Sequence, residues 1–289
     1  MSIESLGYKE WEGQKHGRFY KVLSLVDYEV RHAWSSIWVK ILIIIAWLPV
    51  LIIFLVPVTE ISEEGVDRAF YNLVSFTTSI TIWLPIMAGL IGGGLIANDK
   101  NNKMFSMYFS RPLRREDYIA GKVGGFAVLM SIPTIVPALI IYIVLIGKSD
   151  LSLLVFIKKS WLLGAAWLYF ILLIALFGSL VLFLSSVVTD SKYAVVGLFT
   201  IVILSDLIAN LLWLASDNEI YRLGSLTFNL ENILAEFLGI DQSTLQLADQ
   251  QNGGVGGLVS AWKSLVVIVG ITSFMSVLTL LRLLSLEEE

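Results

Sequence analysis

The chain has no cysteine and only two histidines, His16 and His32. Without thiols it can form neither a disulfide framework nor a thiolate metal site. Both histidines lie in the N-terminal segment, with no second metal ligand at useful spacing. HExxH, GxSxG and GxxxxGK(S/T) are all missing, so zincin, serine-hydrolase and P-loop chemistry are not expected in this chain. Charge is scarce too: charged residues make up 15% of the chain, against roughly 25% in soluble domains. No internal repeat is visible, which argues against a carrier built from inverted halves. The first forty residues are polar and aromatic and show no short apolar core of a cleavable signal.

What is present is apolar. Of 289 residues, 56% are hydrophobic, and several runs reach the roughly 18 to 20 residues needed to cross about 30 Å of hydrocarbon. The expected fold class is therefore all-α, a polytopic integral membrane protein with six transmembrane helices. The spans read roughly Ile41–Val58, Ile80–Ala97, Phe126–Ile146, Trp161–Leu184, Ala194–Ala215 and Leu258–Leu284, the last starting a few residues later than Leu258. Residues 1–40 form an N-terminal segment, and residues 41–289 form the transmembrane domain. The net charge of −4 says little about partners, because the placement of charge matters more than its sum.

Placement sets the expected topology. Lys9, Lys15, Arg18, Lys21, Arg31, Lys40, Lys100, Lys103, Arg111, Arg114, Arg115, Lys122, Lys192 and Arg282 fall on one side, fourteen in all. Arg68, Lys148, Lys158, Lys159, Arg222 and Lys263 fall on the other, six in all. The excess predicts both termini in the cytoplasm of a plasma-membrane protein, although the Lys158-Lys159 pair runs against the bias. Ahead of the first span, Phe19, Leu23, Val26, Val30, Ala33, Trp34 and Ile37 recur at helical spacing, with Lys21, Ser24, Arg31, His32 and Ser35 on the other face. This amphipathic elbow helix suits the headgroup layer and leads without a breaker into Ile41. It reads as a surface anchor, as a contact for a cytoplasmic partner, or as both.

The outer connection 216–257 is too polar to span. Its segments Leu223–Phe228 and Ile233–Leu238 are amphipathic, which predicts short helices resting on or dipping into the outer leaflet. The run Gly253–Gly257 then makes a flexible joint. Gly89 and Gly93, and again Gly121 and Gly125, have the small-xxx-small spacing of close helix packing. Asp206 is the acidic residue well inside a span, with Asn210 one turn later on the same face. A buried carboxylate marks an aqueous path or proton site, or else a structural group satisfied by neighbouring helices.

The connection Asn98–Lys122 (NDKNNKMFSMYFSRPLRREDYIAGK) holds six of the twenty basic residues. Phe105, Tyr108 and Phe109 fall at i, i+3 and i+4, so one helical turn would present an aromatic face. Beyond Pro112, Glu116 and Asp117 suit the first turn of a new helix. Such a segment can lie on anionic lipid or press into a groove on a soluble partner.

The stretch Phe105–Lys122 resembles the loop of type-2 ATP-binding-cassette (ABC) exporter permeases. In that family an acidic residue ends the second span, and a Pro-x-x-Arg-x-x-(Tyr/Ile)-x-x-Gly-Lys pattern opens the third. Pro112, Arg115, Tyr118, Gly121 and Lys122 keep the pattern here. Asp99 stands where the family usually has Glu, and Lys103-Met104 replaces the usual Gly-Thr. The resemblance implies a non-enzymatic permease subunit of an ATP-driven exporter. It would pair with a second copy or a related permease and with two separate ABC ATPase subunits. ATP and Mg would be bound by the ATPases, with no cofactor or metal in this chain, and nucleic acid is not an expected partner. Residues 98–122 would contain the coupling helix, with Phe105, Tyr108 and Phe109 docking on the ATPase and Arg111, Arg114 and Arg115 as the electrostatic rim. The turn Ser185–Tyr193 would make a second, smaller contact. The path would lie between permeases along the second and fifth spans, with Asp206 and Asn210 as candidate lining. An ATP-independent carrier or channel, a membrane-embedded enzyme and a non-transport anchor for an ATPase are the competing readings. The expected orientation is directly testable: a cysteine placed at Gly254 should react with an impermeant maleimide on intact cells, and labelling only after permeabilisation would overturn it.

Overall fold

Long apolar runs without strand-like alternation should fold as helices, because a bilayer leaves no water to satisfy an unpaired backbone. The computed structural model describes residues 17–55, 63–104, 114–148, 153–216, 218–238 and 259–285, and among these no strand occurs. In chain order the helices are α1 (Arg18–Ser35), α2 (Ile37–Leu55), α3 (Glu63–Gly92), α4 (Ala97–Asn101), α5 (Arg115–Ser131) and α6 (Ile135–Lys148). They continue with α7 (Leu153–Val187), α8 (Ser191–Ser216), a 3-10 turn (Glu219–Gly224), α9 (Leu226–Leu238) and α10 (Ala261–Ser285). Among the described residues, four stretches are long and apolar enough to cross a membrane: Glu116–Val144, Ser160–Val187, Ser191–Ser216 and Ala261–Leu284. The bent pair α1–α2 raises the number to five. The run Gly253–Gly257 lies outside the described residues.

Several boundaries differ from the sequence reading, each for a chemical reason. The elbow does not run unbroken into the first span: Ser36 is extended, and the chain bends by 86° between α1 and α2. Helix α3 begins at Glu63 instead of Ile80. Its threonines look like a connection by hydropathy, yet Thr77 and Thr81 are buried. Thr81 Oγ1 donates to the Thr77 carbonyl and meets the Tyr169 hydroxyl at 3.1 Å, so the hydroxyls are satisfied within the bundle. The helix expected to open at Glu116 and Asp117 is present as α5 and runs straight into the third apolar stretch, which opens at Glu116 instead of Phe126 because partners described below compensate its early charges. Pro133 sits in the break between α5 and α6, where the Trp47 indole donates to the Ile132 carbonyl at 3.2 Å. The outer segments form one continuous helix, α9, preceded by the 3-10 turn. Eight of its thirteen residues are buried, so it inserts against α7, α8 and α10 and does not merely rest on the surface.

Between α3 and α4 the helix breaks at Gly93–Ile96, and a single serine holds the break. Ser185 Oγ on α7 donates to the Gly93 carbonyl at 2.8 Å and accepts from the amides of Ile96 (3.0 Å) and Ala97 (2.9 Å). The expected close packing at Gly89 and Gly93 is present: a Cβ at Gly93 would stand 3.0 Å from the Ser191 carbonyl, and one at Gly89 3.6 Å from Val195 Cα. At Gly93 a side chain would crowd the α8 backbone, whereas at Gly89 it would press only on the Val195 side chain.

Helix α4 then ends in a left-handed turn. Met104 N donates to the Asp99 carbonyl at 2.9 Å, and Lys103 carries φ 53°. This is the position at which the resembled family has glycine, and a side chain in that conformation costs about 1–2 kcal/mol. Lys103→Gly should therefore stabilise the protein by up to about 1 kcal/mol once glycine's greater chain entropy is subtracted. A higher unfolding midpoint in detergent is the expected result, and a lower one would show that the lysine side chain outweighs the backbone strain.

Candidate functional site

Where an amphipathic helix crosses the start of a span, a residue with a small or absent side chain decides how closely the two approach. Gly121, Gly124 and Gly125 on α5 face α1, and a Cβ at Gly125 would lie 2.6 Å from Glu29 Cβ. A Cβ at Gly121 would collide with Leu25. The elbow thus lies along α5, with Leu25 and Glu29 buried between them. Its outer face carries the exposed apolar residues Phe19, Leu23 and Trp34, and Ile37 lies beyond the bend on α2. The buried face is turned from the expected apolar stripe towards Leu25 and Glu29.

Burying Glu29 demands a partner, and three elements supply a set of charges. Lys122 Nζ on α5 lies 2.7 Å from Glu29 Oε1 on α1 and 2.6 Å from Asp99 Oδ2 on α4. Tyr118 OH donates to Asp99 Oδ2 at 2.8 Å, and the ammonium stands 5.3 Å from the Tyr118 ring centroid. Relative exposures are 1% for Lys122, 3% for Glu29, 5% for Asp99 and 1% for Tyr118, so water screens none of these contacts. Burial holds the Glu29 carboxyl above its ordinary range, with Lys122 offsetting only part of that rise. One turn earlier, Arg18 bridges Asp117 and also donates to Glu116 at 2.8 Å, while both carboxylates sit in the first turn of α5 as expected.

This clasp pins both feet of the basic connection. Asp99 precedes the aromatic segment, Tyr118 and Lys122 follow it, and the contact between them closes the loop at its base. Of the expected docking residues, Phe105, Tyr108, Phe109 and Arg111 lie outside the described residues. Arg114 is exposed and its carbonyl accepts from the amides of Asp117 and Tyr118, both at 3.0 Å, while Arg115 opens α5. The turn after α7 sits at the same end of the bundle, since Ser185 binds the α3–α4 break. There Tyr193 is exposed, and Lys192 N donates to Asp190 Oδ1 at 3.1 Å.

At the opposite end, Asp206 is engaged by the outer helix. Its Oδ1 accepts from Ser225 Oγ (2.6 Å) and Thr227 N (3.2 Å), and its Oδ2 from Thr227 Oγ1 (2.5 Å). Ser225 Oγ accepts from Phe228 N at 3.0 Å, so the first free amides of α9 are capped by α8 and by their own N-cap serine. A carboxylate there also complements the helix dipole. Asn210, one turn on, is exposed. Groups of three or more metal-ligating His, Cys, Asp or Glu are absent among the described residues.

The sequence reading quoted Asp99, Tyr118 and Lys122 only as motif positions and did not single out Glu29. The available signal was a carboxylate between Leu25 and Val30 on a helix facing a Gly-xxx-Gly stretch.

Comparison with known proteins adds one match. The family described as ABC-2 family transporter protein matches residues 56–286. No individually curated protein matches the chain.

The buried ion set makes a quantitative prediction. Lys122→Met should cost about 3–5 kcal/mol, because it leaves two carboxylates buried without a cation. Lys122→Met combined with Glu29→Leu and Asp99→Asn should recover much of that loss. Thermal unfolding in detergent measures both, and equal losses in the single and triple variants would show that the ions do not act as a set.

Proposed function

The chain belongs to the ABC-2 family of transporter proteins and is a membrane permease; we propose that it works as half of the membrane domain of an ATP-driven exporter. In this reading two permease chains, identical or related, enclose the path at their interface. Two separate ABC ATPases bind the cytoplasmic side, where both termini also lie. ATP and Mg belong to those subunits, and the permease itself catalyses no reaction.

The observation that carries the reading is the clasp. A loop that passes on the motion of an ATPase must be firmly held at its base, and a buried ammonium shared by two carboxylates holds this one to the elbow and to the end of the second span. Phe105, Tyr108 and Phe109 are the docking residues, and Arg111, Arg114 and Arg115 the rim. Closing of the ATPase pair would push the loop, and the clasp would carry that push into α1, α4 and α5 together. Six spans complete the permease, with α2 and α3 as the first and second. Asp206 serves this architecture by seating α9 on α8. The excess of basic residues on the elbow side supports the cytoplasmic orientation.

Co-purification in detergent with the ATPase encoded beside the permease tests the reading. Wild type should retain the ATPase and Phe105→Asp/Tyr108→Asp should lose it while inserting normally. A wild-type chain that inserts yet binds no ATPase would overturn ATP coupling and favour a carrier.

A further inference from the structure

Helices α5, α7 and α10 converge on a groove of about 510 Å³, which runs past Val123, Phe126, Ile171, Ile174, Gly178 and Thr272. Val123, Val128 and Ile171 on its walls are exposed, so it opens sideways from the bundle. Four hydroxyls also face it, and each is already spent within its own helix. Ser131 Oγ donates to the Val128 carbonyl, Ser179 to Leu176, Thr272 to Ile268 and Ser276 to Thr272, all within 2.7–2.8 Å. The groove therefore offers a polar ligand few donors, and what remains is an apolar trough.

Its dimensions select the occupant. On α5 it extends from Val123 to Ser131, about 12 Å at the helical rise, with Ile135 beyond the break, and on α7 from Ile171 to Leu182, about 16 Å. One leaflet of hydrocarbon is about 15 Å deep. One end of the groove adjoins the clasp, since Val123 follows Lys122 and Leu182 lies three residues before Ser185. The other end stops at the Pro133 break, beside Ser131 and Ile135. A trough of leaflet length that starts at the elbow end of the bundle matches one chain of a lipid whose headgroup lies at the elbow's level. Left unfilled in hydrocarbon, its walls would lose contacts on one side.

We propose that an acyl chain of a phospholipid from the elbow-side leaflet occupies this groove as a bound, slowly exchanging component of the protein. Gly178 shapes the floor, where a Cβ would press on the Phe126 ring at 3.0 Å. The lipid bridges α5, which carries the clasp lysine, to α7 and α10.

Photo-crosslinking tests this on the full chain reconstituted in phosphatidylcholine vesicles carrying a diazirine on one acyl chain. Mass spectrometry of the peptides should place label in 123–135 and 171–182 several-fold above the exposed α2 positions Ile41, Ile44, Leu48 and Leu51. Ala175→Phe, which fills the groove, should remove the groove label, and Leu48→Phe on α2 should leave it unchanged. Even labelling of all exposed helices would reduce the groove to ordinary lipid contact and overturn the proposal, as would full groove labelling of a folded Ala175→Phe. Should Ala175→Phe fail to fold, loss of groove label on dilution into unlabelled vesicles decides instead. Exchange as fast as that of the α2 label would refute a bound lipid.

Discussion

Lys122 is an ammonium taken out of water, and the elbow end of the protein is arranged around that fact. An ion in such a place is tolerated only when its partners stand at hydrogen-bond distance and their own remaining valences are met. Glu29 and Asp99 supply the charge, and Tyr118 takes up the second demand of Asp99. Because the two carboxylates sit on different elements, satisfying the lysine also fixes α1 and α4 against α5. Apolar faces of similar area would hold these helices together while allowing them to slide or turn. A cation between two fixed anions does not, since a shift of one residue along any of the three would leave a buried charge alone.

The same requirement, imposed on backbone instead of side chains, explains the other fixed points. Each place where a helix breaks inside the bundle frees amides or carbonyls that hydrocarbon cannot satisfy. Ser185 receives two amides and gives its proton to the Gly93 carbonyl at the break between α3 and α4. Trp47 donates beside the Pro133 break. Asp206, Ser205 and Ser225 take the amides that open α9. In each case the polar residue that hydropathy marks as out of place lies opposite a discontinuity in a neighbouring helix. These polar groups follow the breaks of the bundle, whereas Thr81–Tyr169 and Asn232–Ser264 pair between unbroken helices.

That rule also decides what was legible in the sequence. Fold class, the elbow, the glycine contacts and the start of a new helix at Glu116 and Asp117 could be read directly, because each rests on local pattern or spacing. Span boundaries fall late where polar residues are compensated from a distance: the third apolar stretch opens at Glu116 and not at Phe126, because Arg18, Glu29 and Asp99 meet Asp117 and Lys122. Glu29 escaped notice for the same reason. Its partner is 93 residues away, and only the fold brings the pair together. The family pattern around Gly121 and Lys122 was visible as letters; its cause, a glycine that admits the elbow and a lysine that locks it, is a property of three elements at once.

The clasp also determines which parts of the chain can move together. A push delivered between Met104 and Arg114 meets Asp99 on one foot and Tyr118 and Lys122 on the other, and the contacts between those feet resist their separation. The displacement then passes to the elbow through Glu29 and to the start of the third span through α5. From α5 it reaches the wall of the groove, whose opposite wall on α7 is tied by Ser185 to the break between α3 and α4. Groove width thus depends on the position of α5 relative to α7. In the proposed arrangement, a chain lodged between them would favour one spacing over others by the contacts it fills, so a bound lipid and the buried lysine would act on the same helix from two sides.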